Sequence, residues 1–294
     1  MSSAPIPTVT LNDGIKIPKI GYGLGTSNKG KDCRPYIQSA LETGYTYLDC
    51  AYMYGNSNYL GDVLAEWKGK REDLFVLQKC GKDDGSADEK DPRKVLVQLL
   101  KDIKLDYVDL YLLHSPLLFD DINKAWAIME ELKTEGLAKS IGVSNFREQD
   151  LLKLKETWKV VPSVNQIELH PYNAHAPNVV RLLDLCKEND ITIQAYSPIA
   201  PLFRSPGGPV NEVVATIARD KGVEDSQVLL AWAAQRTNGV VVTTSTNRER
   251  QQIQLEAITK VSPLSQEEVD QISEAGKGRY FRWFQKDVWG EVKQ

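Results

Sequence analysis

Gly44-Tyr45-Thr46-Tyr47-Leu48-Asp49-Cys50-Ala51-Tyr52-Met53-Tyr54-Gly55-Asn56 joins a short apolar run to a carboxylate and a tyrosine-bearing turn. Tyr45 to Leu48 is aromatic and β-branched, the composition of a buried strand. The run stops at Asp49, and Tyr54 follows five residues later beside a Gly-Asn turn. A carboxylate at the end of a buried strand is costly without a partner. Taken alone, Asp49 reads as the cap of the next turn. Three other strand-like runs also end in an ionisable or amide side chain, which makes this stretch one unit of a pattern.

Outward from it, strand-like runs recur at 20–24, 46–50, 74–79, 107–114, 140–143, 164–169, 192–196 and 240–244. Helical stretches separate them, for example 91–104, 122–135, 148–157, 179–188 and 226–235. In the first of these, Asp91 is an N-cap and Pro92 fills the first helical position. Eight strands alternating with helices predict parallel pairing through right-handed crossovers, closed into an α/β (β/α)8 (TIM) barrel. No linker or low-complexity tract divides the chain, so residues 1–294 are expected to form a single domain. Thr8 to Leu11 and Ile15 to Ile17 flank Asn12-Asp13-Gly14, a hairpin signal ahead of the barrel. The glycines of Ile20-Gly21-Tyr22-Gly23-Leu24-Gly25-Thr26 miss the last position of G-x-G-x-x-G, and the helix and acidic residue of that motif are misplaced, which argues against a Rossmann site. After Lys277 the tail carries Tyr280, Phe281, Trp283, Phe284 and Trp289. These aromatics either pack the terminus down or form a loop that walls a substrate pocket.

The 294 residues are 41% hydrophobic with a net charge of −4, and both signs are mixed along the chain. That balance gives no reason to expect a nucleic-acid or membrane partner, and no apolar run reaches the length of a span. Met1 to Pro5 has neither the basic nor the apolar region of a leader. Cys33, Cys50, Cys80 and Cys186 have no paired spacing, so metal and disulfide readings are weak. A reduced, cytoplasmic enzyme is expected.

Barrel enzymes place their chemistry at the C-terminal strand ends. Asp49, Lys79 and His114 end the second, third and fourth of the repeating strands. Each has a bland reading: a cap, a strand-end lysine reaching for solvent, a satisfied core histidine. Together with Tyr54 they suggest a proton donor. Tyr54 is a weak acid with an ordinary pKa of about 10, and a neighbouring ammonium is expected to lower it. Asp49 would pair with Lys79, and His114 would orient a substrate oxygen. Such a site protonates an oxygen on which negative charge develops. The matching hydride must come from a nicotinamide cofactor, because side chains supply none. His114, His170 and His175 lack metal-ligand spacing, and there is no G-x-S-x-G elbow. His170 reads as structural and His175 as a solvated loop residue.

The ordered set Gly23-Leu24-Gly25-Thr26, Leu48 to Asn56, Lys79, Leu113-His114-Ser115-Pro116, Gly142-Val143-Ser144-Asn145-Phe146, Asn165 to Pro171 and Ala195-Tyr196-Ser197-Pro198 resembles the aldo-keto reductase family over nearly the whole chain. The resemblance implies a metal-independent (β/α)8 barrel that reduces small-molecule carbonyls with NADPH. It implies a tetrad of Asp49, Tyr54, Lys79 and His114, with Tyr54 as general acid. Ser144, Asn145 and Gln166 would hold the carboxamide and Tyr196 would stack on the nicotinamide. Gly25, Thr26, Asp49, Ser197, Ile199, Leu202, Thr244, Ser245, Arg250 and Gln254 complete the implied cofactor contacts. Tyr54, His114, Ser27 and Ser115 are the implied substrate contacts, and a monomer or weak oligomer is expected.

Two departures stand out. Thr244 occupies the position of the family's 2′-phosphate lysine, which leaves Arg250, Ser245 and a helix N-terminus to hold that group; alternatively Arg248 and Arg250 form a solvated helix face. Ser27 and Ser115 stand where tryptophan is frequent, and Cys80-Gly81 follows Lys79, suggesting a wider, more polar mouth. The Thr243-Thr244-Ser245 run and Ser197 to Leu202 are similar to the fungal branch of ketoamide and conjugated polyketone reductases, which implies activated ketones rather than sugars. A cofactor-holding regulatory barrel with little turnover is the alternative. A metal-dependent barrel hydrolase is a third class, disfavoured by the three histidines.

Overall fold

The computed structural model describes residues 5–82 and 85–289. Met1 to Ala4, within the stretch expected to carry no leader, lie outside the described residues. Two strands, β1 (Thr8–Thr10) and β2 (Lys16–Pro18), form the expected antiparallel hairpin. Eight more follow: β3 (Ile20–Gly23), β4 (Tyr47–Asp49), β5 (Phe75–Cys80), β6 (Val108–Leu113), β7 (Ala138–Ser144), β8 (Val164–Glu168), β9 (Thr192–Tyr196) and β10 (Val240–Thr243). They close into a parallel barrel in the order β10-β3-β4-β5-β6-β7-β8-β9. Helices such as Arg34–Thr43, Ser57–Glu66, Pro92–Ile103 and Ile122–Thr134 return the chain between strands. An additional helix, Pro209–Lys221, precedes the crossover helix Asp225–Thr237 after β9. No described helix is long and apolar enough to cross a membrane.

The period-2 alternation of a strand decides what faces the lumen. Tyr47, Phe75, Leu77, Leu110, Leu112, Val164, Val240 and Val242 form one buried cluster in the lumen, while Leu48, Val76, Tyr111 and Leu113 pack outwards against the helices. Continuing each lumen-facing series by two residues leads to Asp49, Lys79, His114, Gln166 and Thr244. One rim layer of the barrel is therefore polar, built across a register that steps by two residues from strand to strand: Asp49 lies opposite Leu77, and Lys79 opposite Leu112.

The hairpin closes the opposite end. Leu11 and Ile17 join the lumen cluster. Asp13 accepts hydrogen bonds from Lys133 Nζ and Ser140 Oγ, each at 2.7 Å, and Asn12 Nδ2 donates to the Pro162 carbonyl at 3.1 Å. Access is left to the C-terminal rim.

Candidate functional site

Asp49, Tyr54 and His114 line a cavity of about 450 Å³ at that rim, with Lys79 beneath them. The Lys79 side chain is fully buried. Its Nζ donates to Asp49 Oδ1 and to the Cys50 carbonyl at 3.0 Å, and lies 3.5 Å from the Tyr54 hydroxyl. The last distance is long for a hydrogen bond but short for an ammonium acting on a phenol. Tyr54 sits on the single turn Tyr52–Tyr54, which ends at Gly55 in the left-handed region, φ 63°. The Tyr54 and His114 rings meet edge-on with centroids 5.7 Å apart.

Three of these groups have shifted pKa values. Burial alone would lower the Lys79 pKa, but Asp49 and then Tyr54 outweigh it and raise it, so the ammonium persists. Burial, reinforced by Lys79 and Lys29, presses His114 well below the ordinary histidine value, which leaves it neutral. Tyr54 corrects the expectation stated above: burial raises its pKa above 10.0, and Lys79 draws it only partly back. The phenol is therefore fully protonated at neutral pH and poised to donate.

The sequence-derived cofactor residues divide into two groups. Gly25, Thr26, Asp49, Ser144, Asn145, Gln166, Tyr196, Ser197, Ile199 and Thr244 all line the cavity. Tyr196 donates to Asn145 Oδ1 at 2.8 Å, and Asn145 Nδ2 donates to the His114 carbonyl at 3.0 Å. Off the lining, Leu202 turns back onto the helix-side core because Ala200–Phe203 is a helical turn, which leaves Phe203 and Arg204 at the cavity. The Ser245 hydroxyl accepts from Asn247 N at 3.1 Å, at the entry to helix Arg248–Thr259. Gln254 is buried on that helix, with Oε1 lacking a partner among the described residues. Arg248 pairs with Glu42, whereas Arg250 is exposed and forms no ion pair among the described residues.

The expected substrate contacts are also uneven. Ser27 is exposed on the turn Thr26–Asn28, outside the lining. Ser115 is buried behind the wall, where Oγ donates to Gln285 Oε1 at 3.3 Å. The mouth is instead built by Phe203, Arg204, Phe284 and Gln285. Of these, only the C-terminal pair lay in a stretch flagged as a candidate wall. His175 is half-buried rather than solvated, its ring edge-on to Tyr280.

Both readings of the aromatic tail hold. Phe284 and Gln285 wall the cavity, while Val288 and Trp289 are buried. The anchor is Glu168, at the end of β8. Its carboxylate accepts the backbone N–H of Trp283 at 2.9 Å and of Phe284 at 2.8 Å, and contacts His170 Nε2 at 3.1 Å. Burial pushes the Glu168 carboxyl up, but His170, Arg282 and the Trp283 N–H outweigh it and hold it below the ordinary glutamate value. The anchor is therefore ionised at neutral pH.

Backbone strain marks the same place. Seven described non-glycine residues have positive φ. Four of them, Thr26, Asn145, Ser197 and Gln285, line this cavity, and such conformations cluster at ligand clamps and switch regions. The glycine-rich strand has a steric role. A Cβ on Gly25 would lie 2.9 Å from Tyr54 Cζ, and one on Gly21 would lie 2.5 Å from the Tyr47 ring. Gly25→Ala is expected to push Tyr54 off its position and lower kcat by roughly tenfold or more; steady-state kinetics check this.

The Aldo/keto reductase family profile matches residues 19–277. An NAD/NADP-dependent indole-3-acetaldehyde reductase of Schizosaccharomyces pombe is 35% identical over 94% of this chain and 97% of its own length. A glycerol 2-dehydrogenase (NADP(+)) of Hypocrea jecorina is 34% identical over 96% of each chain. Among solved structures, a Bombyx mori aldo-keto reductase in complex with NADP superposes with a TM-score of 0.83 at 28% identity, covering 98% of both chains.

Proposed function

The chain belongs to the aldo/keto reductase family and is an oxidoreductase, and on that footing we propose that it uses NADPH to reduce activated ketones such as α-keto esters, keto lactones and diketones. One observation carries the catalytic part: a buried ammonium, Lys79, held by Asp49 and 3.5 Å from a protonated phenol at the cavity floor. Tyr54 gives its proton to the carbonyl oxygen. Lys79 stabilises the phenolate left behind, in a dry site where a fixed charge acts strongly. Asp49 keeps Lys79 charged, and neutral His114 donates a hydrogen bond that aims the carbonyl. Bound NADPH supplies the hydride.

The residues present suit that cofactor. Buried polar atoms without partners among the described residues include Asn28 Oδ1, His114 Nδ1, Thr243 Oγ1 and Gln254 Oε1. Two of them, on Thr243 and Gln254, belong to the strand end and helix expected to hold the adenosine half. Ser144, Asn145 and Gln166 would hold the carboxamide, and Tyr196 would pack on the ring. Arg250 would take the 2′-phosphate. Arg250→Ala is expected to weaken NADPH binding by about tenfold or more, with NADH hardly affected. Fluorescence titration of both cofactors checks this, and equal losses would refute it.

Activated ketones fit a mouth walled by Phe203, Phe284 and Gln285 and bordered by Arg204. NADPH oxidation across a panel of activated ketones, simple aldehydes and sugars tests the substrate class; a preference for sugars would overturn it. Cofactor binding with no turnover on any carbonyl would favour the regulatory barrel instead. We also read residues 1–294 as one unit acting in the cytoplasm as a monomer or weak oligomer.

A further inference from the structure

Beneath the cavity floor, four side chains close a ring of hydrogen bonds across the lumen, from β4 to β8 and β9. Gln166 Nε2 donates to Asp49 Oδ2 at 2.6 Å and to Gln194 Oε1 at 2.6 Å. Gln194 Nε2 donates to the Tyr47 hydroxyl, which donates to Asp49 Oδ2 at 3.4 Å. Tyr47 and Gln194 are both 0% exposed, in a lumen otherwise filled by residues such as Phe75, Leu77 and Val242. Placing an amide and a phenol there is costly unless each is satisfied.

The ring admits one orientation. A carboxylate oxygen only accepts, so Gln166 must turn its NH2 group towards Asp49. Its second N–H then meets the carbonyl oxygen of Gln194, which turns the Gln194 NH2 towards Tyr47. The Tyr47 hydroxyl accepts there and has its own proton left for Asp49. Burial first, and then the charge of Asp49, raise the Tyr47 pKa well above 10.0, so that proton stays in place. Both N–H groups of Gln166 are thus engaged inside the protein. Gln166 lines the cavity, and the oxygen of its amide is the atom left to offer there.

We propose that Gln194 and Tyr47 are positioning residues that lock the Gln166 amide so that it presents an acceptor to an N–H of the nicotinamide carboxamide. The proposal rests on the reading of this cavity as a nicotinamide site. Gly21 belongs to the same device, because a Cβ there would enter the Tyr47 ring.

The test uses NADP+ and its 3-acetylpyridine analogue, in which a methyl group replaces the carboxamide NH2. Their dissociation constants are measured by quenching of intrinsic tryptophan fluorescence, with melting temperature as the check on folding. The unmodified protein is expected to prefer NADP+ by about tenfold, the value of one buried hydrogen bond with its acceptor otherwise unmet. In Gln194→Leu the Gln166 amide loses its second acceptor and the preference should shrink towards parity. Tyr47→Phe opens the ring elsewhere, should shrink the preference in the same direction, and carries the test if Gln194→Leu does not fold. An unchanged ratio in a folded variant, or no preference in the unmodified protein, overturns the proposal. Absence of NADP+ binding in the unmodified protein would instead remove the cofactor reading, and this inference with it.

Discussion

Tyr54→Phe is expected to lower kcat for carbonyl reduction by about 10²–10⁴-fold, with NADPH affinity nearly unchanged. The substitution removes one oxygen and keeps the ring that fits against Gly25, so packing and cofactor contacts persist. The group lost is the proton donor, 3.5 Å from the Lys79 ammonium. A matching pH profile is expected in the unmodified protein. Reduction needs the protonated phenol, and burial raises its pKa above 10.0, so kcat should stay level through neutral pH and fall only above pH 10.0. Alcohol oxidation needs the phenolate and should instead accelerate as pH rises. Unchanged turnover in Tyr54→Phe, or a reduction rate that collapses near neutrality, would remove Tyr54 from the mechanism.

Lys79→Met is expected to cost both activity and stability. Asp49 would remain 2% exposed, with its charge no longer compensated. Breaking a buried pair from one side costs about 3–5 kcal/mol. For a chain of this length that is a fall in melting temperature of roughly 5–8 °C. The Asp49→Leu, Lys79→Met double variant should recover part of the lost stability, because the stranded charge is gone, while reductase activity stays absent. Calorimetry and kinetics on the three proteins separate the two roles. A Lys79→Met protein as stable as the parent would show that the pair is not structurally coupled.

Much of this site could be read from sequence because a strand has a strict two-residue period. Once Tyr47, Leu77 and Leu112 are taken as lumen residues, Asp49, Lys79 and His114 must share the rim, and the eight strand positions held to within about two residues. What escaped depends on distances between segments far apart in sequence. The Gly21 and Gly25 clearances involve tyrosines 26 and 29 residues away, and the glycine spacing in isolation was comparable only with a phosphate motif. The Tyr54 pKa was misjudged because Lys79 was visible in the sequence and the depth of burial was not. Phe203 and Arg204 reach the cavity because one short helical turn faces Leu202 inwards, a phase that no periodicity over four residues could fix. Nothing in the sequence distinguishes Gln194 from an ordinary strand residue; only the folded barrel brings its amide beside that of Gln166.

Glu168 pairs with the buried Arg282 side chain, but it grips positions 283 and 284 through their main-chain amides alone. Positions 283 and 284 can therefore exchange one residue for another while the backbone stays fastened to the end of β8. Selectivity and anchorage are thereby uncoupled, and a new molecular shape can be accommodated at the entrance without rebuilding the scaffold that holds it.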